Sequence, residues 1–366
     1  MKNIIFHIPF EIDPNRSSGT NIRPLKMLQA FRNIGFQVDI VMGNGAERKK
    51  SILKIKEQLR LGKTYDFVYS ESSTLPTLLT EKNHFPSYPF LDFGFFRFCK
   101  KNNIPITLFY RDIFWNFKGY SLKGIKAFFT KIMYHYDLYR YKDLLDILYL
   151  PSFQMKDFIP SSFNYKIDDL PPGFQELELN KDKSPSSKLN IFYVGGFSSH
   201  YQMEELFKAV SQLEFINLTI CTREAEWLSA KKGTYASYAG LKNLHVVHKQ
   251  SHELEELYQE SDIALLFVKP FDYWRFAVPI KLFEYIGHMK PIIATKGTYP
   301  GIFVENHNIG WSIKYDSNTL IDLLKNLNRN RTEIESKQAH LTIAYENNTW
   351  EARARKVMNQ VKELSQ

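Results

Sequence analysis

Apolar runs of strand length alternate with longer segments of helical period through almost the whole chain, and that rhythm points to parallel α/β sheets. In the first half the runs are Ile4–Ile8, Gln37–Val41, Phe67–Ser70, Ile106–Tyr110 and Ile147–Leu150. A polar loop leads from the first run to Gly19. A helix is expected over about Ile22–Ile34, with Leu25, Leu28, Ala30 and Phe31 on its inner face. Thr20 or Asn21 would cap this helix and Gly35 would stop it. The stretch 180–188 is charged, holds proline and serine and has no apolar member, which is linker composition. After it the rhythm restarts with Leu189–Val194, a Gly195-Gly196 turn and a helix around Met203–Leu213. Leu218–Cys221, Leu244–Val247, Ile263–Phe267 and Pro291–Ala294 follow as strands. With 366 residues to distribute, two consecutive α/β units are expected, each large enough for its own core.

Composition narrows the function classes. A hydrophobic fraction of 44% with 24% charged residues excludes wholesale disorder. Two cysteines, Cys99 and Cys221, exclude a disulfide framework and a four-thiolate zinc site. The apolar run after Met1-Lys2-Asn3 is too short for a signal peptide, and no window approaches 18 uncharged apolar residues. A soluble, cytoplasmic protein is therefore expected. The net charge of +9 is unevenly placed: residues 1–180 carry 25 basic against 18 acidic side chains, residues 181–366 carry 23 against 21. A basic first half suits a polyanionic partner, either nucleic acid or an anionic membrane face.

Three neighbouring runs carry a resemblance. Leu257–Leu266, Pro279–Gly287 and Lys290–Thr295 together resemble family 4 of the glycosyltransferases. That family has the GT-B architecture, two Rossmann-like domains whose parallel sheets face across a cleft. The resemblance implies an acceptor-binding domain over 1–180, joined by a C-terminal helix at 348–366, and a nucleotide-sugar donor domain over 188–347. Glu284 matches the family's ribose-binding glutamate. Tyr193-Val194-Gly195-Gly196 looks like the strand and turn that open the donor domain, and Asp146–Pro151 and Asp169–Gly173 look like the segments before the linker. Two positions depart from the family. Phe276 stands where many members have a glutamate on the transferred sugar, and Gly196 where many have an arginine on the diphosphate.

The residues support a donor site on their own chemistry. Pro279 suits a helix start, and Lys281 and Glu284, three apart, share a helical face. A diphosphate needs cationic charge and a helix N-terminus, and a ribose diol needs a carboxylate acceptor. An isolated Lys-x-x-Glu is more often a surface ion pair, but the surrounding block favours the ligand. Gly195, Gly196 and Arg223 join this site, with a solvated loop charge as the alternative for Arg223. Ser18, Gly19 and Thr20 form a small-residue loop before a helix, suited to close backbone approach and an anion; a plain helix start is the alternative. Arg111 and Asp112 leave a strand where ligands of open sheets collect. Asp112 could act as base toward an acceptor hydroxyl and Arg111 could stabilise departing phosphate, or the two form an ion pair that fixes a loop.

From Arg111 to Lys142 stand seven basic residues and ten aromatics, including Phe128, Phe129, Tyr134, Tyr136, Tyr139 and Tyr141, against two acids. This mixture suits a lipid headgroup surface; stacking on single-stranded nucleic acid ranks second, and ordinary core rings are the bland alternative. No Asp-x-Asp occurs, so no metal or other cofactor is expected. Gly43-Asn44-Gly45 lacks the third glycine of a dinucleotide fingerprint, and the histidines, His248 and His252 among them, lack zinc spacing. The expected activity is a hexosyl transfer from a nucleotide-diphosphate sugar, a UDP-sugar, to a lipid-linked or polysaccharide acceptor of a bacterial surface glycan. The protein would work in the cytoplasm or on the inner face of its membrane, with no nucleic-acid partner. A non-catalytic partner of an active transferase and a sugar-nucleotide epimerase are the alternatives.

Overall fold

A computed structural model describes residues 2–13, 19–117, 124–176, 186–197, 201–250 and 253–364. Ser18, Lys123, His252 and most of the expected linker lie outside the described residues. In chain order the first half holds β1 (Lys2–His7), α1 (Gly19–Asn33), β2 (Phe36–Val41), α2 (Gly45–Arg60), β3 (Phe67–Glu71), α3 (Leu91–Lys101), β4 (Ile106–Phe109), α4 (Gly124–Leu144), β5 (Ile147–Leu150) and β6 (Lys166–Asp169). The second half holds β7 (Leu189–Val194), α5 (Glu204–Val210), β8 (Ile216–Cys221), α6 (Glu224–Ala230), β9 (Leu244–Val247), α7 (Leu254–Glu260), β10 (Ile263–Leu266) and α8 (Ile280–Gly287). It continues with β11 (Ile292–Thr295), α9 (Tyr299–Asn306), β12 (Gly310–Ile313), α10 (Ser317–Arg329), α11 (Thr332–Asn347) and α12 (Trp350–Glu363).

One compact unit comprises Met1–Pro172 with Trp350–Gln366, the other Gly173–Thr349. The chain passes between them at Pro172–Gly173, ahead of the 180–188 stretch. Phe174 already belongs to the second unit: it pairs with Thr349, packs on Tyr345 at 4.6 Å and lies against Gly287, where a Cβ would come within 2.7 Å of its ring.

The first unit is a six-stranded sheet in the order β2-β1-β3-β4-β5-β6, the second one in the order β12-β11-β10-β7-β8-β9, and all pairings are parallel. The second order is that of a doubly wound dinucleotide-type sheet. Continuous apolar strands such as Ile263–Leu266 are buried along their whole length because helices cover both faces. In the first unit Met27 and Phe31 of α1 share a core with Trp350, Ala354 and Val357 of α12, which fastens the C-terminal helix to this unit.

Helix α1 begins at Gly19, so Thr20 and Asn21 are helical residues rather than caps. The Asn21 side chain instead accepts from the Asp13 amide at 3.3 Å. Strands β6 and β12 escape a reading by apolar runs: one is Lys-Ile-Asp-Asp, the other starts on a glycine, and both lie at sheet edges where one side needs no apolar cover. Beneath the first sheet's carboxyl ends lies a buried polar cluster. His7 meets Ser70 Oγ at 2.8 Å and Asp92 Oδ1 at 2.9 Å, while Arg48 grips Asp92 at 3.0 and 3.2 Å and donates to the Gly43 carbonyl.

Candidate functional site

In the second unit the order of strands reverses between β7 and β10, and Tyr285 of α8 stitches that seam. Its hydroxyl accepts from the Val194 amide at 3.2 Å and donates to the Leu265 carbonyl at 3.3 Å. Pro279 caps α8, and the helix carries Lys281 one turn before Tyr285 to the carboxyl end of β7. There Gly195 adopts a φ of +151°, which side-chain-bearing residues rarely adopt. A Cβ on Gly195 would overlap Lys281 Nζ, so the glycine is what admits the ammonium.

Lys281 is not the surface ion pair that its spacing from Glu284 allows. Its Nζ lies 4.6 Å from the Tyr193 ring centroid, 4.4 Å from that of Tyr201, and 3.3 Å from Tyr193 Oη. Ring faces hold a cation without neutralising it. Burial lowers the Lys281 pKa to about 8 against the upward pull of Glu284 and Glu226. Tyr258 Oη stands 3.5 Å from Glu284 Oε2. Tyr258 in turn stacks on His288, 3.7 Å between centroids, and burial followed by the Lys290 charge lowers the His288 pKa to about 4. The arrangement offers an ammonium, a carboxylate and a helix N-terminus at one sheet seam. A diphosphate and a diol fit that set.

Gly196 lies against Glu226, and Tyr193 Oη donates to its carbonyl at 3.0 Å. Glu226 Oε2 accepts from the Phe197 amide at 2.8 Å, and its Oε1 from Arg223 at 2.8 Å. Arg223 is thus an exposed residue in an ion pair that braces the glycine turn. Phe276 is buried, at the end of the short turn Asp272–Arg275. Tyr193, Tyr201, Tyr258, Tyr285 and Glu226 are the site residues that sequence reading missed. Tyrosines inside apolar strands and helices look like core, and only the spacing Lys281–Tyr285 hinted at a shared face.

In the first unit, Arg111 and Asp112 follow β4. Arg111 does not pair with its neighbour: its Nη2 donates to Glu71 at 2.7 Å, its Nη1 to the Gly19 carbonyl at 3.1 Å and its Nε to the Ser72 carbonyl at 3.2 Å. It therefore ties the start of α1 to the ends of β3 and β4. Asp112 is half-buried and accepts from the Phe114 amide at 2.9 Å. Gly19 and Thr20 open α1. The basic and aromatic stretch divides. Trp115 and Tyr134 stack at 4.6 Å in the interior and Tyr141 is buried, whereas Ile125, Phe128, Phe129, Ile132 and Tyr139 of α4 face outward, Ile125 with 76% exposure. Lys126 and Lys131 stand exposed among them. Among the described residues, no helix is long and apolar enough to cross a membrane.

Neither a protein-family profile nor a curated protein matches the sequence. Solved structures do match. A glycosyltransferase from Rickettsia africae superposes with a TM-score of 0.65 at 14% identity, over 100% of this chain and 99% of that one. Sucrose-phosphate synthase from Thermosynechococcus elongatus gives 0.64 at 14% identity, over 99% of each chain. HepE from Anabaena, solved in complex with UDP and glucose, gives 0.63 at 11% identity, over 99% of this chain and 100% of that one. The chain has the GT-B fold. Two Rossmann-like units, each a parallel six-stranded sheet, are what a GT-B fold requires, and the resemblance of the Ser261–Thr295 block agrees with it. At these identities the likeness establishes architecture.

Proposed function

We propose that this GT-B protein is a glycosyltransferase that moves a sugar from a UDP-sugar to a lipid-linked or polysaccharide acceptor in bacterial surface glycan synthesis. The observation that carries the reading is Lys281, a buried ammonium held by two ring faces at the sheet seam, with Glu284 one helical turn away. The likeness to HepE, whose structure holds UDP and glucose, supports the same ligand class. In this reading Lys281 and the α8 N-terminus receive the diphosphate and Glu284 the ribose hydroxyls, while Asp112 serves the acceptor hydroxyl as base. Glu284→Ala is expected to weaken UDP binding by about 1.5–3 kcal/mol, the loss of charge-assisted hydrogen bonds, and to leave the fold intact. Calorimetry showing unchanged affinity sinks the assignment. Because the leaving diphosphate is met by Lys281 rather than by an Asp-x-Asp metal pair, transfer should survive EDTA. Activity abolished by chelator and restored by magnesium contradicts this.

The acceptor side of the reading places the first unit on an anionic membrane surface. Its support is α4, where Ile125, Phe128, Phe129 and Ile132 recur at helical spacing on an exposed face beside Lys126 and Lys131. Each lysine near an anionic surface contributes about 1 kcal/mol, screened over about 8 Å at physiological salt. The full chain should sediment with phosphatidylglycerol vesicles, and Lys126→Glu with Lys131→Glu should release it. Equal sedimentation of both proteins, or of neither, removes the membrane and leaves a soluble glycan as acceptor.

A further inference from the structure

The first unit buries a cation whose hydrogen-bond donors meet no aligned acceptor among the described residues. Arg23, on α1, is 2% exposed, and its Nε, Nη1 and Nη2 lack a hydrogen-bond partner among the described residues. Its guanidinium lies 3.5 Å over the Phe109 ring, and its Nε is 3.3 Å from Glu71 Oε1 without hydrogen-bond alignment. Both Glu71 oxygens already accept one hydrogen bond: Tyr69 Oη donates to Oε1 at 2.8 Å and Arg111 to Oε2 at 2.7 Å. Two guanidinium groups therefore share one carboxylate. Burial disfavours the Arg111 charge; Glu71 supports it, and the like charge of Arg23 disfavours it further. Buried polar groups in folded proteins are nearly always hydrogen-bonded, and two buried cations on one carboxylate leave a net positive charge that is costly. That net positive charge, with the Arg23 donors unaligned to any acceptor among the described residues, calls for an anion.

Ligands of open parallel sheets collect at the carboxyl ends of the strands. Glu71 and Phe109 end β3 and β4, and Arg111 lies two residues further, at the carboxyl ends of an open parallel sheet. The hydrogen bond from Arg111 to Gly19 sets its guanidinium at the positive end of the fifteen-residue helix α1. We propose that Arg23 and Arg111 form the receptor for a phosphate group carried by the acceptor substrate. A phosphate brings more oxygens and more negative charge to the two cations than a carboxylate does. The proposal rests on the glycosyltransferase reading only for the word acceptor; the anion site is argued from this unit alone.

The test uses the full chain carrying Lys281→Ala, which removes the phosphate contact proposed in the second unit. Calorimetric titration with inorganic phosphate at low salt should show binding that Arg23→Met weakens at least tenfold and Arg23→Lys weakens less. Should Arg23→Met fail to fold, Arg111→Met is expected to give the same loss. A hexose phosphate compared with a short-chain phosphatidic acid then distinguishes a soluble acceptor from a lipid one. Equal phosphate affinity with and without Arg23→Met overturns the proposal. So does an absence of phosphate binding in the Lys281→Ala protein, which would assign the free donors to buried water. If the wild type binds no UDP yet phosphate binding still depends on Arg23, the donor reading fails and the anion site stands.

Discussion

Lys281→Ala is expected to weaken UDP binding about thirtyfold to a hundredfold, the equivalent of about 2–3 kcal/mol for losing an ammonium from a dry diphosphate contact. The pH dependence is the sharper signature. Burial holds the free Lys281 pKa down at about 8, and a bound diphosphate favours the ammonium, so the pKa in the complex is higher. Between the two values binding takes up a proton, and affinity falls as pH rises above 8, by at most about tenfold per pH unit. Below pH 7 Lys281 is protonated before the ligand arrives, and affinity should level off. Lys281→Arg carries a charge that does not titrate in this range, so any binding that it retains should lose the alkaline decline. Calorimetry from pH 6.5 to 9.5 reads both effects. Wild-type affinity that stays flat to pH 9.5 removes Lys281 from the diphosphate.

The largest effect on stability is expected at Asp92. Its buried carboxylate takes two hydrogen bonds from Arg48 and one contact from His7; burial pushes its pKa up, but His7 and Arg48 outweigh that and hold it below the usual carboxylate range. Asp92→Ala leaves the Arg48 guanidinium buried with the Gly43 carbonyl as its remaining hydrogen-bond acceptor, Glu81 standing 3.5 Å away. Breaking one side of a buried pair costs about 3–5 kcal/mol, and a drop in melting temperature on the order of 10 °C should follow. The exposed pair Lys166–Glu363, 2.8 Å apart, is the control, and Glu363→Ala should cost under about 1 kcal/mol. Urea unfolding with intrinsic fluorescence measures both. Equal midpoints for the two variants would show that the cluster adds nothing to the fold.

What the sequence made legible follows from burial. Strands covered on both faces are written as unbroken apolar runs, so β1, β3, β7 and β10 stand out, while β6 and β12 at the edges carry charges or a glycine and do not. The donor block was legible as Lys281 and Glu284 on one helical face. The packing of Lys281 on tyrosine rings was not, because it depends on where β7 delivers Tyr193 and on the missing Cβ of Gly195. Arg111 and Asp112 read as a pair because they are adjacent, yet the partner of Arg111 is Glu71, forty residues earlier in the chain. The carboxylate closing the apolar run Phe67–Glu71 was the available signal. Arg23 was legible as a cation near a helix start that suits an anion, but its burial was not, because it depends on Phe109 and Glu71 from distant strands.

The central claim is that a nucleoside diphosphate binds where β7 meets α8. Amide hydrogen exchange of the full chain, with and without saturating UDP, tests it most directly. The account predicts slowed exchange at residues 193–197 and 280–288, and loss of that protection in the Glu284→Ala protein. Unchanged exchange throughout Gly173–Thr349 in the presence of UDP would contradict it.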